Sequence, residues 1–318
     1  MTKITKHANL ARGYSIALVS IVFLATTAIF IRHLTVTYAL PALVLAFWRD
    51  SFVVLTLLVV LGIFRSALLR VDKNHLPYLL GYGLVLALFN ATWTISVAEI
   101  GAAVATVLVY SSAAFTALLG WWLLKERLDG VKLLVVVMSM TGCALVAEAF
   151  RPGVWSASWI GISTGVISGL MYALYSVMGR SASQRGLNPW TTLFYTFGFA
   201  AGFLFLFNLL FGRDLPGGAQ QLADFFWLQH EWTGWGMLFA LAAVPTVAGY
   251  GLLNVSLVHL PSSVVNLILT SEPVVTALIA YFLLGEHLNA VQISGSALIV
   301  VGVVILRVHE EQVSQKQP

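Results

Sequence analysis

Residues 264–306 read VVNLILTSEPVVTALIAYFLLGEHLNAVQISGSALIVVGVVIL, an apolar hairpin with Glu272 and Pro273 in the middle of its first run. A carboxylate at the centre of a bilayer costs at least ~2.5–3.5 kcal/mol, so it needs a partner, a watered cavity or a task. A fainter copy of the hairpin lies 160 positions earlier. Ser111, Thr116, Ala117, Leu118, Leu123, Leu124, Glu126, Leu128, Val131 and Gly142 answer to Ser271, Thr276, Ala277, Leu278, Leu283, Leu284, Glu286, Leu288, Val291 and Gly302. The copies part at the charged point, where Ser112 and Ala113 stand opposite Glu272 and Pro273.

The whole chain shares this apolar character. Of its 318 residues 59% are hydrophobic and only 9% charged, against about 25% charged in soluble domains, and its mean hydropathy is +0.90. These values place it in a membrane. Ten apolar runs are each able to cross about 30 Å of hydrocarbon: 14–31, 40–64, 78–97, 102–124, 131–147, 159–178, 190–211, 234–258, 264–284 and 291–306. They are apolar on every side, whereas barrel strands alternate, so the expected fold is all-α and integral to the membrane. A cleaved signal peptide at the first run is disfavoured, because the run exceeds the usual ~7–15 residues and no small-residue cleavage site follows. Pro41, Pro77 and Pro189 fall at or near helix starts, where a missing N–H costs little. The single cysteine, Cys143, excludes an intrachain disulfide and reads as a small buried packing residue.

A pI near 9.2 is compatible with nucleic-acid binding, but the cations sit in short loops, where topology explains them. With the amino terminus in the cytoplasm, Lys3, Lys6, Arg12, Arg65, Arg70, Lys73, Lys125, Arg127, Lys132, Arg180, Arg185, Arg307 and Lys316 lie inside, against Arg32, Arg151 and Arg213 outside. This asymmetry predicts an even number of spans with both termini cytoplasmic, and no nucleic-acid partner.

The duplication then acquires a geometry. Gly13, Ser20, Arg32 and Pro41 match Gly161, Ser168, Arg180 and Pro189 at an offset of 148, and the extra residues fall in the 212–233 loop. Residues 1–151 and 152–318 thus form two repeats of five spans each. Five is odd, so the second repeat lies upside down, the arrangement of secondary transporters whose site sits at the midplane between halves that rock.

The chain resembles the EamA-like branch of the ten-helix drug/metabolite transporter superfamily. The residues that carry the resemblance are Leu124-Lys125-Glu126-Arg127-Leu128 with Gly142, Glu272-Pro273, Gly285-Glu286-His287-Leu288 with Gly302, and Pro41 followed by Arg49. The resemblance implies a bundle with a central cavity, a bacterial inner-membrane location and export of small metabolites such as amino acids or their derivatives. The chain departs from the pattern at Ser112-Ala113, where relatives often have a proline, and at Ala25-Thr26-Thr27, where many have a tryptophan.

Several residues are candidates for substrate binding or coupling. Glu272 could exchange a proton or hold a substrate amine, or be locked to a neighbouring helix; Pro273 frees a carbonyl, expected to be that of Leu269. Arg49 and Asp50 are the other intramembrane charges. Adjacent helical residues point about 100° apart, so each is expected to pair across helices; alternatively Arg49 reads a substrate carboxylate or phosphate. Asn90, Trp93, Tyr110, Tyr172, Tyr175, Tyr250, Asn254 and Asn266 could line a cavity that stacks an apolar group and bonds a polar head. Glu126 and Glu286 read as caps or tethers of the hairpins, and the 212–233 loop as a surface loop or an external lid. Gly161, Gly165 and Gly169 permit close helix approach, within the chain or in a homodimer. Trp121, Trp122, Trp155, Trp159, Trp227, Trp232 and Trp235 suit interface anchoring.

The scattered histidines offer no zinc site and no phosphate-binding glycine loop is present, so neither catalysis nor a cofactor is expected. The partners expected are a small-molecule substrate and the lipid bilayer. The rival readings are an exporter of drugs or aromatic cations on the same fold, and a membrane sensor that transports nothing.

Overall fold

A computed structural model describes residues 3–150, 159–284 and 289–316. Arg151, Trp155 and the Gly285-Glu286-His287-Leu288 motif lie outside them. The described residues form helices and no strands: α1 Lys3–Thr37, α2 Ala42–Phe64, α3 Leu76–Val109, α4 Ser112–Leu124, α5 Gly130–Val146, α6 Trp159–Gln184, α7 Pro189–Phe211, α8 Trp232–Leu241, α9 Val247–His259, α10 Ser262–Leu269, α11 Glu272–Leu284 and α12 Ala290–Lys316. A π-helical turn with Pro245 joins α8 to α9. Among the described residues eight stretches are long and apolar enough to cross a membrane; Gly130–Val146 is shorter, and α10 and α11 divide the run 264–284 between them.

Local chemistry sets the helix ends. Pro41 stands as the residue before α2, Pro189 opens α7 behind an Asn188 cap, and Lys125 closes α4 in a left-handed conformation. The α3 helix covers the expected third span and the start of the fourth, and it turns back on itself. A Cβ at Gly165 would lie 2.7 Å from Ser96 Oγ and 2.6 Å from Leu108 Cδ1, although a straight helix would hold those residues about 18 Å apart.

The polarity of the molecule is that of a membrane protein. Leu58, Val59, Leu134, Val137, Leu209, Leu210, Val301 and Val304 are exposed, while Ser20, Ser96, Ser139, Ser168, Thr192 and Thr196 are buried. With lipid outside, small polar side chains at helix interfaces allow close packing and bond across it: Ser20 Oγ donates to the Gly249 carbonyl at 2.8 Å and Ser96 Oγ to that of Gly161 at 2.8 Å. Trp121, Trp122, Trp159 and Trp232 are exposed near helix ends, as interface anchors should be.

The principal helix pairs are α3 with α6, α5 with α12, α1 with α9, and α7 with both α3 and α2. The α1 and α6 contacts answer to each other: a Cβ at Gly13 would meet Leu260 Cγ at 2.6 Å, and one at Gly161 would meet Ile100 Cγ2 at 2.5 Å. Gly161, Gly165 and Gly169 are all packed within the chain, against Ile100, Leu108 and Ser111. The loop after α7 is held down rather than free: Trp48 Nε1 donates to the Phe225 carbonyl at 2.6 Å, Trp227 Nε1 to that of Tyr38 at 3.0 Å, and Ala219 N–H to Asn208 Oδ1 at 3.1 Å.

Candidate functional site

The site is built on two interrupted helices. Between α3 and α4 the Tyr110 N–H donates to the Thr106 carbonyl (3.2 Å), Ser111 to Leu108 (3.1 Å), and both Ala114 and Phe115 to Ser111 (3.0 and 3.2 Å). Between α10 and α11 Thr270 donates to Asn266 (3.2 Å), Ser271 to Ile268 (3.0 Å), and Val274 and Val275 to Ser271 (3.1 and 3.2 Å). The two breaks are the same turn at matching positions. One bond differs. Ala113 N–H donates to the Tyr110 carbonyl at 3.1 Å, whereas Pro273 has no N–H to give to Thr270. The carbonyl that loses a donor is therefore that of Thr270, not of Leu269 as the sequence suggests, because the helix has already stopped there. Cys143 Sγ lies 3.6 Å from that carbonyl and supplies a weak donor, so Cys143 does more than fill space.

Glu272 begins α11 at the break. It is half-buried, and the Tyr110 hydroxyl is its hydrogen-bonding neighbour. Tyr172, Tyr250 and Cys143 stand within reach of its charge. Tyr110 belongs to the first break, Tyr172 to α6, Tyr250 to α9 and Cys143 to α5, so Glu272 is set among side chains from four segments of the bundle. Ser112, its counterpart, is buried and donates through Oγ to Asn266 Oδ1 at 3.0 Å, while Asn266 Nδ2 donates to Ser176 Oγ at 3.2 Å. Asn266 is thereby used up as a tie between α4, α10 and α6.

The second cluster holds Arg49 and Asp50, both buried. They pair with each other, Arg49 Nε donating to Asp50 Oδ1 at 3.1 Å, which overturns the expectation that adjacent helical residues would seek separate partners. The arginine arm is long enough to swing back along the helix, and the cross-helix group that reaches Asp50 is the neutral Asn90, whose Nδ2 donates to Oδ2 at 2.8 Å. At low dielectric a charge closes on the nearest opposite charge. Arg49 Nη2 and Asn90 Oδ1 are left buried without partners, as is Asn254 Nδ2.

Aromatic rings connect the clusters. Phe89 stacks on Tyr172 (4.9 Å between centroids), Tyr82 lies against Tyr175 (4.8 Å), and Tyr250 meets the edges of Tyr175 (5.6 Å) and Phe197 (5.4 Å). Tyr175 also donates to Asn254 Oδ1 at 3.4 Å. Tyr250 is the shared neighbour of Arg49, Asp50 and Glu272. Of the sequence candidates, Glu272, Tyr110, Tyr172, Tyr175, Tyr250, Asn254, Asn90 and Arg49 thus come together. Trp93, one turn past Asn90, is half-buried and packs on the core; Pro273 shapes the backbone, and Asn266 ties helices. Tyr82 and Phe89 were missed, although their spacing from Asn90 and Trp93 marks one face of α3.

With this geometry in hand, the comparisons with known proteins decide the family. A profile described as EamA-like transporter family matches the chain twice, over 11–147 and 159–308. The chain belongs to the EamA-like transporter family. Relatives of this family member include an uncharacterized transporter of Archaeoglobus fulgidus, 26% identical over 69% of this chain and 74% of the relative. A probable amino-acid metabolite efflux pump of Salmonella typhimurium is 25% identical over 73% and 77%. A solved crystal structure superposes with a TM-score of 0.75 over 95% of this chain and 99% of its own, at 15% identity, a likeness of fold alone. The chain is a multi-pass membrane transporter.

Proposed function

We propose that this transporter exports small organic metabolites, amino acids or their derivatives first among them, by alternating access. Ten crossings form two inverted repeats, 1–151 and 152–318, with both termini in the cytoplasm of a bacterial cell and the site between the halves. The twofold profile match, the matching helix breaks, and the paired Gly13–Leu260 and Gly161–Ile100 contacts support the repeats. The printed names of relatives as amino-acid metabolite efflux pumps support the substrate class.

The observation that carries the reading is Glu272: a half-buried acidic residue at an interrupted helix in mid-span, beside Tyr110, Tyr172 and Tyr250. An ionisable group so placed suits proton exchange or capture of a substrate amine. The free Nη2 of Arg49 suits the carboxylate of the same substrate, and the rings of Tyr172, Tyr175 and Tyr250 its apolar part. The tyrosine wall also fits an aromatic cation, which would use Glu272 but not Arg49.

Proteoliposomes challenged with labelled amino acids, nucleosides and cationic dyes, with and without a pH gradient, test this. Gradient-stimulated movement of amino acids is the expected result. Movement of dyes alone would favour the cation exporter, and binding without movement of any class would favour a sensor.

A further inference from the structure

On the face that carries both chain ends, where Arg307 of α12 lies over the Tyr14 ring of α1, one side chain ties the end of α4 to the start of α10. Glu126 Oε1 accepts from the Ser262 N–H and hydroxyl, both at 2.7 Å, and Oε2 accepts from the Ser263 N–H at 3.1 Å and hydroxyl at 2.7 Å. Four charge-assisted bonds on one carboxylate, set at the positive end of a helix, are far more than a surface cap provides. Gly120 makes the room: a Cβ there would lie 2.7 Å from Glu126 Oε2.

What the clasp holds is the plug of the molecule. Every residue of α10, Ser262 to Leu269, is buried, and α10 runs from this face to the break that presents Glu272. Beside it Arg180 Nη1 donates to the Leu257 and Val258 carbonyls at 2.8 and 3.0 Å, and Leu260 packs on Gly13. Glu272 is half-buried at the far end of α10, and α10 is buried along its whole length between it and this face. A solute passing from the break to this face along α10 needs α10 to move away from α4.

We infer that Glu126 is the latch of the gate on the terminal face. Its four bonds hold α10 against α4 while the site faces the other side, and they break each time the site opens toward the termini. The inference rests on the alternating-access reading above, and it concerns a residue outside the binding site.

Two experiments test it. In the first, Asn254→Cys in a Cys143→Ser background reports opening through labelling by a membrane-impermeant maleimide in vesicles that expose the terminal face. Glu126→Ala raises the labelling rate at least about tenfold, the factor contributed by one charge-assisted hydrogen bond, and the milder Glu126→Gln raises it less. Unchanged labelling in both variants overturns the latch, whether or not any substrate is known. In the second, Gly120→Cys with Ser262→Cys replaces the clasp by a disulfide, since a Cβ at Gly120 would lie 3.2 Å from Ser262 Oγ. Oxidation stops transport and reduction restores it. Transport that survives a complete cross-link shows that α4 and α10 never part, which overturns the inference and leaves the proposed function standing; wild-type protein that moves no compound overturns the proposed function while the labelling result still judges the latch.

Discussion

The helix breaks at Tyr110 and Ser111 and at Thr270 and Ser271 share four backbone hydrogen bonds at matching positions, yet they carry different side chains. In the first half Ser112 is buried and tied to Asn266. In the second, Glu272 keeps part of its surface open and has the phenol of Tyr110, a residue of the first break, as its neighbour. One break is a joint between α4, α10 and α6, and the other presents a charge. The difference teaches that the same turn can carry different side chains, and on the transport reading proposed above only one of the two breaks needs to be polar and open.

The severest way to break this comparison is to make the copies alike. Ser112→Glu buries a carboxylate beside Asn266 with no cation near it, and an uncompensated buried charge costs about 3–5 kcal/mol. The expected result is a large fall in melting temperature of the purified protein; a stable variant would mean that the first break is as open as the second. Next in size is Asn266→Ala, which leaves the Ser112 and Ser176 hydroxyls unpaired and costs about 1–3 kcal/mol. Smaller is the proline exchange. Because the first half breaks without proline, Pro273→Ala should keep the turn and change stability by about 1 kcal/mol or less, and Ala113→Pro should cost about 1 kcal/mol for the lost bond to Tyr110. A continuous helix in Pro273→Ala, seen as new amide protection at Thr270 to Val274, would show the proline to be the cause.

The smallest effect separates the helix caps that follow the two hairpins. Asp129 caps α5 by accepting from the Lys132 N–H at 3.1 Å, and Asn289 caps α12 by accepting from the Gln292 N–H at 3.0 Å. Burial pushes the Asp129 carboxyl up, but the His309 hydrogen bond, the Lys132 N–H and the charges of both residues outweigh it and hold it below its ordinary value of 3.8. A lowered folded value means stability that is complete above the unfolded value near 3.9 and is lost as pH falls through the folded one. Thermal melts between pH 5 and 2 should therefore show an acid-labile increment of about 1 kcal/mol or less that Asp129→Asn removes. Asn289→Asp should add none, because Asn289 Nδ2 donates to Glu148 Oε1 and an aspartate there would meet a like charge.

The membrane-spanning helices were legible in the sequence, because bilayer length and composition are local or additive signals, and the 160 offset pointed to the two helix breaks that match. The grouping of Glu272 with Tyr110, Tyr172 and Tyr250 was within reach for the same reason: polar residues in apolar runs must point inward. The Arg49–Asp50 pair was not, since helical angles describe where a side chain starts and not where a long flexible arm ends. Nor could a sequence tell that Asn266 is consumed by its serines, or that Glu126 reaches Ser262 and Ser263 in the other half. Those depend on which helices meet.

The claim that the asymmetry of the two breaks serves transport is tested most directly on Glu272→Gln, a substitution that keeps shape and removes the ionisable proton. In proteoliposomes with labelled amino acids and an imposed pH gradient, wild-type protein should accumulate substrate, and the variant should still exchange it across the membrane but no longer respond to the gradient. Gradient-driven accumulation by Glu272→Gln equal to that of the wild type would contradict the account.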